Sequence, residues 1–546
     1  MSLAGLFDIG RSAIFASQTA LNVVSNNIAN VNTPGYSRHE AILEVANPVQ
    51  LMGNYIGRGV GSVDIRRHYD NFIHLQIIGQ NESYGRSFAL DRGLSHIEQI
   101  FNEAQNLGLG NALKDYFNAW QDVAANPDAQ PQRTALLQKA TSLVHTAQQI
   151  EGDIKDTLKE INNDIRNVVD DINSLTSNIA SLNEKIAQLE AGLSSDKASY
   201  FRDQRDSKLN ELAELMDYTW YEDNDGRVNI LVGGESLVNV QGSYALTTEV
   251  DIDGNRGVYA RGRDISSEFE KGQLGGFFDV RSDIEDNSLH DLRKLIASIS
   301  NETNIIHRAG YGLDGSTGNN FFNALQIYSS SDSTGGYVSS SSVSDASALT
   351  LDEYDINFTD SSTYNIVNHT TGAAVATGQT YSAGSTISFN GIDVVIDGTP
   401  AADDSFFISP LTSVIENLGV AISGSQTDKI AVSDTDVSVT GERGNNVNAL
   451  SIISLYQSGI SDLSNATFEE YYQGIVSDVG IMGKAATDSL TYDDNLRFEL
   501  QKKRDEISGV SLDEEAANLL RYQRMYEAGA RIIKVTDELM EMIINL

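Results

Sequence analysis

The side chains that could carry chemistry in this 546-residue chain are eight histidines and 76 Asp and Glu against 38 Lys and Arg, with no cysteine. Without cysteine there is no disulfide, no thiolate zinc site and no thiol nucleophile. The histidines, His39, His68, His74, His96, His145, His290, His307 and His369, are scattered. His39-Glu40 begins as a zinc-protease helix would, but position 43 is Leu, so the second ligand is missing. No G-x-S-x-G elbow raises a serine nucleophile. Gly57-Arg58-Gly59-Val60-Gly61 has neither phosphate-loop nor dinucleotide-loop spacing and reads as a tight turn before a strand. Asp223-Asn224-Asp225-Gly226 matches four residues of a calcium loop. With Gly226 sixth, the first and twelfth positions are Tyr221 and Val232, where carboxylates are needed. The paired acids Asp403-Asp404 and Glu514-Glu515 suit a solvated face or a helix N-terminus better than an acid–base couple. No catalytic, cofactor-binding or metal-binding residue is assigned, and no enzymatic activity is expected.

The strongest patterns lie at the two ends of the chain. Phe7, Ile14, Leu21 and Ile28 recur at seven-residue spacing, with Gly10, Ser17, Val24 and Val31 between them. This narrow helical stripe stops at Thr33-Pro34-Gly35. Leu512, Leu519, Tyr526, Ile533 and Met540 repeat the spacing at the other end, with Ala516, Ala530 and Ile544 offset by four. Gln523 and Asp537 interrupt that second row. Neither stripe is wide enough to hold its own helix in place, so both ends are expected to be mobile until they find a partner. Two partners stay open: each other, in an intramolecular hairpin, or a neighbouring subunit. A net charge of −38 makes nucleic acid and anionic membranes poor partners. No apolar run is long enough to span a bilayer, and the first residues lack the basic region of a cleaved signal.

Between the ends the pattern changes several times. Asp70 to Met216 is helical in character, aromatic-rich at Asp115–Trp120 and broken by the Asn126-Pro127-Asp128 loop. Ile154, Leu158, Ile161, Ile165, Val168, Ile172, Leu175, Ile179, Leu182, Ile186, Leu189 and Leu193 alternate steps of four and three, which predicts one rod-like helix on a partner helix of the same chain. A homodimeric coiled coil is the alternative. Val228–Val232 and Tyr244–Leu246 read as strands, with hairpin turns at Asp225-Gly226 and Asp253-Gly254. Helical spacing returns over Leu289–His307. Between Phe322 and Gly441, Ser, Thr, Gly and Asp dominate and Lys429 is the only Lys or Arg. That stretch predicts a β-rich insertion, dispensable for folding of the rest, with Ser329–Ser342 mobile as low-complexity sequence. The fold class is multidomain α+β, with a coiled-coil base from both termini, a helical second layer and inserted β-rich outer domains. The expected domains are 1–69 with 505–546, 70–216 with 441–504, 217–322, and 323–440.

Asn26-Asn27-Ile28-Ala29-Asn30-Val31-Asn32-Thr33-Pro34-Gly35-Tyr36-Ser37-Arg38 resembles the N-terminal motif of the bacterial flagellar axial proteins, the rod, hook and hook-associated proteins. Ser508 to Gln523 resembles the C-terminal motif of one branch, the hook–filament junction proteins. Asn126-Pro127 with Arg133, Asp203-Gln204-Arg205-Asp206 and Leu274-Gly275-Gly276 are similar to internal motifs of that branch. So are Asn304, His307 to Gly310, Asp314-Gly315, Gly318 and Phe321-Phe322. Gly398 to Phe406 is also similar, with Asp403 where glycine is usual. The resemblance implies a structural adaptor: a homo-oligomeric ring between hook and filament, outside the cell after type III export. Its implied partners are other copies of itself, the hook protein, a second hook–filament junction protein and a cytoplasmic export chaperone, with no nucleic acid and no membrane insertion. The assembly interface is expected at Phe7, Ile14, Leu21, Val24, Asn27, Ile28, Asn30, Val31, Pro34, Gly35 and Tyr36, and at Leu512, Leu519, Tyr522, Tyr526, Ile533 and Met540. By resemblance, the chaperone would bind Leu519, Tyr526, Ile533 and Met540. Another class stays open here, a surface β module that binds glycan or cation on a helical stalk.

Overall fold

A computed structural model describes residues 3–51, 54–102, 108–190, 198–251 and 254–545. Leu193 of the heptad pattern and Asp253 of the second hairpin turn lie outside the described residues. The helices in chain order are α1 (Leu3–Ala29), α2 (Asn71–Phe101), α3 (Leu109–Ala125), α4 (Gln130–Glu190), α5 (Ser199–Leu215), α6 (Gly272–Asp283), α7 (His290–Ala309), α8 (Val414–Asn417), α9 (Val437–Thr440), α10 (Val447–Leu455), α11 (Phe468–Ser508) and α12 (Leu512–Ile544). A π-helical turn, Ile284–Leu289, joins α6 to α7, so the helical stretch expected from Leu289 begins well before it. The strand pairs among the described residues are antiparallel. The chain forms two compact units, one of residues 1–92, 161–279 and 485–546, the other of 93–160 and 280–484.

The first unit brings both ends of the chain together. α1 and α12 run antiparallel, and the ladder His39–Val45 with Val60–Arg67 packs on α1. Ala20, Val23, Val24, Ala41 and Tyr522 form the buried cluster where these elements meet. Within this unit α4 buries Ile161, Ile165, Val168, Ile172, Ile179, Leu182 and Ile186, leaves Leu175 half-buried and exposes Leu189. Its partner is partly helix, with Arg92 of α2 on Asp164 at 2.9 Å, and partly strand, which the heptad alone does not distinguish. Three asparagines set the strands against it. Asn183 both donates to the Val228 carbonyl (2.7 Å) and accepts from its N–H (3.0 Å), Asn173 does the same at Leu246, and Asn162 accepts from the Arg256 N–H. A side-chain amide carries both a donor and an acceptor, so one asparagine satisfies both backbone groups of an edge-strand residue. Tyr244 and Ala245, expected in a strand, instead connect Gly242–Ser243 to Leu246–Val250.

The second unit is built on aromatic packing and on two sheets. Tyr116 and Trp120 of α3 pack with Phe321 and Phe322, and Phe117 packs on Tyr116, Tyr456 and Phe468, with ring centroids 5.0–6.0 Å apart. His307 sits among them, its Nδ1–H donating to the Asn319 carbonyl (2.7 Å) and its Nε2 accepting from the Ala431 N–H (2.9 Å). Burial holds this imidazole neutral, lowering its pKa to about 4. Arg133 is buried with its guanidinium on the carbonyls of Pro127, Thr427 and Ile430, and burial lowers it to about 10. A five-stranded and a three-stranded sheet occupy Tyr328–Ser409, with Tyr354 of one against Phe389 of the other.

Two expectations about this region are corrected. Ser329–Ser342 is not a mobile run: it supplies the strands Tyr328–Asp332 and Gly336–Val343, paired to Ser405–Ser409 and Ile392–Gly398. Backbone pairing needs no large side chain, so a serine-rich run can form strands. The β-rich insertion also ends at Ser409 rather than 440. Leu411, Val414, Ile415, Ile430, Ala431 and Val432 are buried in short helices and turns held by Arg133 and His307. Asp403 lies at φ +70°, the left-handed region in which glycine is strain-free.

Candidate assembly interface

The seam between α1 and α12 is lined by small and polar residues. α1 buries Gly10, Ala16, Ser17, Ala20, Val23, Val24 and Asn27. α12 buries Glu515, Tyr522, Gly529 and Thr536, again seven apart. At the crossing the two backbones nearly touch. A Cβ added at Gly529 would lie 3.2 Å from the Gly10 carbonyl oxygen and 3.0 Å from Ile14 Cγ1. A Cβ at Gly10 would lie 2.8 Å from Ile533 Cγ1.

This displaces the C-terminal stripe expected from sequence by one row. Leu519 and Ile533 flank the seam half-buried, while Leu512, Tyr526 and Met540 are exposed. A seven-residue grid identifies a face only to within an adjacent row, and the close approach at Gly10 and Gly529 selects the row of small residues. On α1, Val24 and Asn27 are buried, Ile14, Leu21 and Ile28 half-buried, and Phe7 is 39% exposed. Beyond the helix, Asn30, Val31, Gly35 and Tyr36 are half-buried and Pro34 is exposed. Tyr522 is buried in the seam.

Asn27 is the polar centre of the site. Its Oδ1 accepts from the Tyr36 hydroxyl (2.8 Å) and the His39 N–H (3.1 Å). Its Nδ2 donates to the His39 carbonyl (2.8 Å) and to Glu515 Oε2 (3.1 Å). Glu515 is 1% exposed and also accepts from Arg38 Nε at 2.8 Å, and Arg38 reaches Glu514 as well. Glu514-Glu515 does lie in the first turn of α12, as the helix N-terminus reading has it, but Glu515 is a buried, paired carboxylate and not part of a solvated face. Arg38 N–H further donates to the Ser508 carbonyl, joining the two motifs through the backbone. Next to them His39 contacts Asp203, and Arg67 bridges Asp203 (3.0 Å) and Asp206 (2.6 Å). Burial opposes the Arg67 charge, but Asp206 and Asp203 outweigh it and raise its pKa. Burial, then Asp203 and Glu515, push the Tyr36 hydroxyl well above its usual range.

Arg38, Glu515, Asp203 and Asp206 were visible inside the quoted motifs, yet no spacing rule pairs residues hundreds of positions apart. The motif loop is also flanked by two grooves, each floored on one side by the loop. One, about 490 Å³, is lined by Thr33, Tyr36, Asn178, Tyr200 and Asp203, and the other, about 470 Å³, by Asn32, Pro34, Arg504, Ile507 and Glu514. Among the described residues no group of three or more His, Asp or Glu is placed to hold a metal. Asp223 instead caps its own turn, accepting from the N–H groups of Asp225 and Arg227. No described helix is long and apolar enough to cross a membrane.

Residues 94–322 match the family described as the flagellar hook-associated protein FlgK helical domain, and 328–410 the D2-like domain of flagellar hook-associated protein 1. Residues 7–36 match the flagella basal body rod protein family, and 501–546 the flagellar basal body rod FlgEFG protein C-terminal family. Flagellar hook-associated protein 1 of Escherichia coli (strain K12) is 28% identical over 561 residues, covering all of both chains. Its counterpart in Salmonella typhimurium is 29% identical, also over both full lengths. The Bacillus subtilis protein of that name is 25% identical over 98% of this chain and 97% of its own. Over its full length the chain is thus similar to proteins named flagellar hook-associated protein 1. The structure of the flagellar hook junction protein FlgK from Burkholderia pseudomallei shows the same fold, with a TM-score of 0.67 at 18% identity over 79% of this chain and all of that one. The two matched rod-protein segments meet where Asn27 donates to Glu515, and Arg38, just past the first segment, pairs with the same carboxylate.

Proposed function

We propose that this chain is a structural adaptor of the hook–filament junction, exported through the flagellar type III route and assembled as a ring through α1 and α12. The observation that carries the reading is the inverted hairpin. Small residues face inward at the seam, while Phe7, Phe15, Leu512, Leu520, Tyr526 and Val535 face outward. Leu539, Met540, Met542, Ile543 and Ile544 at the end of α12 are exposed too. Apolar surface of this extent on one helix pair marks a place where another chain packs. Other copies of the chain, the hook protein and a second junction protein are the partners that the family names suggest. Before export the same α12 face would be covered by a chaperone at Tyr526 and Met540, with Leu519 and Ile533 released as the seam opens. A seam of small residues around one polar cluster holds less apolar area than a leucine-rich one, so its opening is inexpensive.

The test is a strain lacking this gene. Hooks should form, filaments should fail to attach under electron microscopy, and motility should be lost. Attached filaments and normal swimming in that strain would refute the proposal.

A further inference from the structure

Between Asp8 and Asp64 the acidic residues are Glu40 and Glu44, in a chain of 76 carboxylates and net charge −38. Residues 45–59, which leave the His39–Val45 strand and return at Val60, contain no acid and one base, Arg58. Among the described residues, their strands Val49–Leu51 and Asn54–Ile56 pair only with each other. An isolated two-stranded hairpin is marginal in water, and it is more so when its apolar residues face solvent. Here Val45 is 83% exposed, Tyr55 72% and Val49 45%.

The root of this hairpin is nonetheless fixed. Gly59, at φ +87°, lies against α1, where a Cβ would meet Ser12 Oγ at 2.5 Å and Ile9 Cα at 3.3 Å. The Val60 N–H donates to Ser12 Oγ, and the Ala46 N–H to the Gly59 carbonyl. A rigid root therefore presents an uncovered apolar strand pair.

We propose that this hairpin is a docking element for a second copy of the chain. Two bodies of charge −38 repel wherever their carboxylates face each other, so surface cleared of acid favours close packing of copies. The hairpin and the part of α1 after Asp8, itself paired to Arg11, carry no acid, and the hairpin adds the exposed valines and tyrosine that give a contact its apolar centre. The inference rests on the ring reading above and specifies one of its contacts.

The absence of cysteine makes the test direct. Tyr55→Cys and, in the exposed strand of the outer sheets, Tyr337→Cys are each made in the full chain and labelled with a maleimide, both free in solution and in isolated hook–filament structures. Labelling of the Tyr55→Cys protein should fall to background in the assembled structures, while the Tyr337→Cys protein stays reactive in both. Equal labelling at position 55 in free and incorporated protein overturns the hairpin contact and leaves the adaptor reading standing. Absence of the Tyr337→Cys protein from the structures overturns the adaptor reading and the contact with it. Tyr55→Asp should melt as the unaltered chain does yet fail to be retained at the junction. Retention of Tyr55→Asp at normal levels also overturns the contact, as does protection at position 55 only where the hook protein, rather than a second copy, is recovered by cross-linking.

Discussion

Gly529 is where the packing of the two chain ends is most easily put to the test. Its missing Cβ lets α12 lie against α1, with Ile14 Cγ1, the Gly10 carbonyl and Ala13 Cβ at 3.0, 3.2 and 3.3 Å from where that atom would be. Alanine at 529 would require its neighbours to yield by a few tenths of an ångström, and Ile14 can do so by a small side-chain rotation. It also removes the flexibility of a glycine inside a helix, a gain of about 1 kcal/mol. The two effects roughly cancel, so Gly529→Ala should leave docking nearly unchanged. Leucine adds three carbons beyond Cβ to a site whose first contacts are already filled. Overpacking of this kind costs about 1–3 kcal/mol. Subtracting the helix gain leaves about 0–2 kcal/mol, and because Cβ itself already meets neighbours at 3.0–3.3 Å the upper end applies, about 2 kcal/mol or a factor of roughly 30 in the opening equilibrium. Amide hydrogen exchange of the full chain reads this directly, because protection reports local opening. Amides of residues 13–24 in α1 should exchange faster by that factor in Gly529→Leu, while those of α7 stay unchanged. If the leucine variant protects α1 as well as the native chain does, the glycine crossing does not hold the ends together and the reasoning fails.

Ile533→Asp puts a carboxylate beside Gly10 in a half-buried position. The chain should keep its α7 protection but lose both chaperone capture and filament attachment, and retention of both would contradict the assignment of this face. His307 makes acid a selective stress. Its folded pKa of about 4 lies below the unfolded value near 6.5, so the unfolded chain takes up a proton that the fold excludes, and stability falls as pH drops through that window, by up to about 3 kcal/mol. In a Trp220→Phe background, Trp120 fluorescence should give a lower urea midpoint at pH 4.5 than at pH 7, and equal midpoints would show that His307 does not titrate as described. Replacing 328–409 by a short linker should leave a cooperative helical melt in circular dichroism. Replacing 323–440 should not, because it removes the Thr427 and Ile430 carbonyls from buried Arg133 and the Ala431 N–H from His307. Identical melts for the two deletions would refute this boundary.

The sequence by itself determined the long helical segments, though not α6, α8 or α9, and that the two ends are the special ones. Heptad spacing, the stop at Thr33-Pro34-Gly35 and the glycine turns are local properties, and local physics is enough to read them. The absence of thiol and zinc-finger chemistry followed directly from composition. The two end motifs were legible, but as strings rather than as a site. Tertiary structure decided that Asn27, Arg38 and Glu515 form one buried cluster, because their pairing spans 477–488 positions and leaves no periodic trace. It also decided which row of α12 faces inward, since neighbouring rows differ by a fraction of a turn and only the near-contact of Gly10 with Gly529 separates them. Burial made the same kind of decision for residues 411–440, where a composition poor in bases resembled the outer strands but the side chains fill a helical core. Periodicity reports which face of an element is apolar. What that face meets depends on shape and on distant residues, and only the folded chain supplies those.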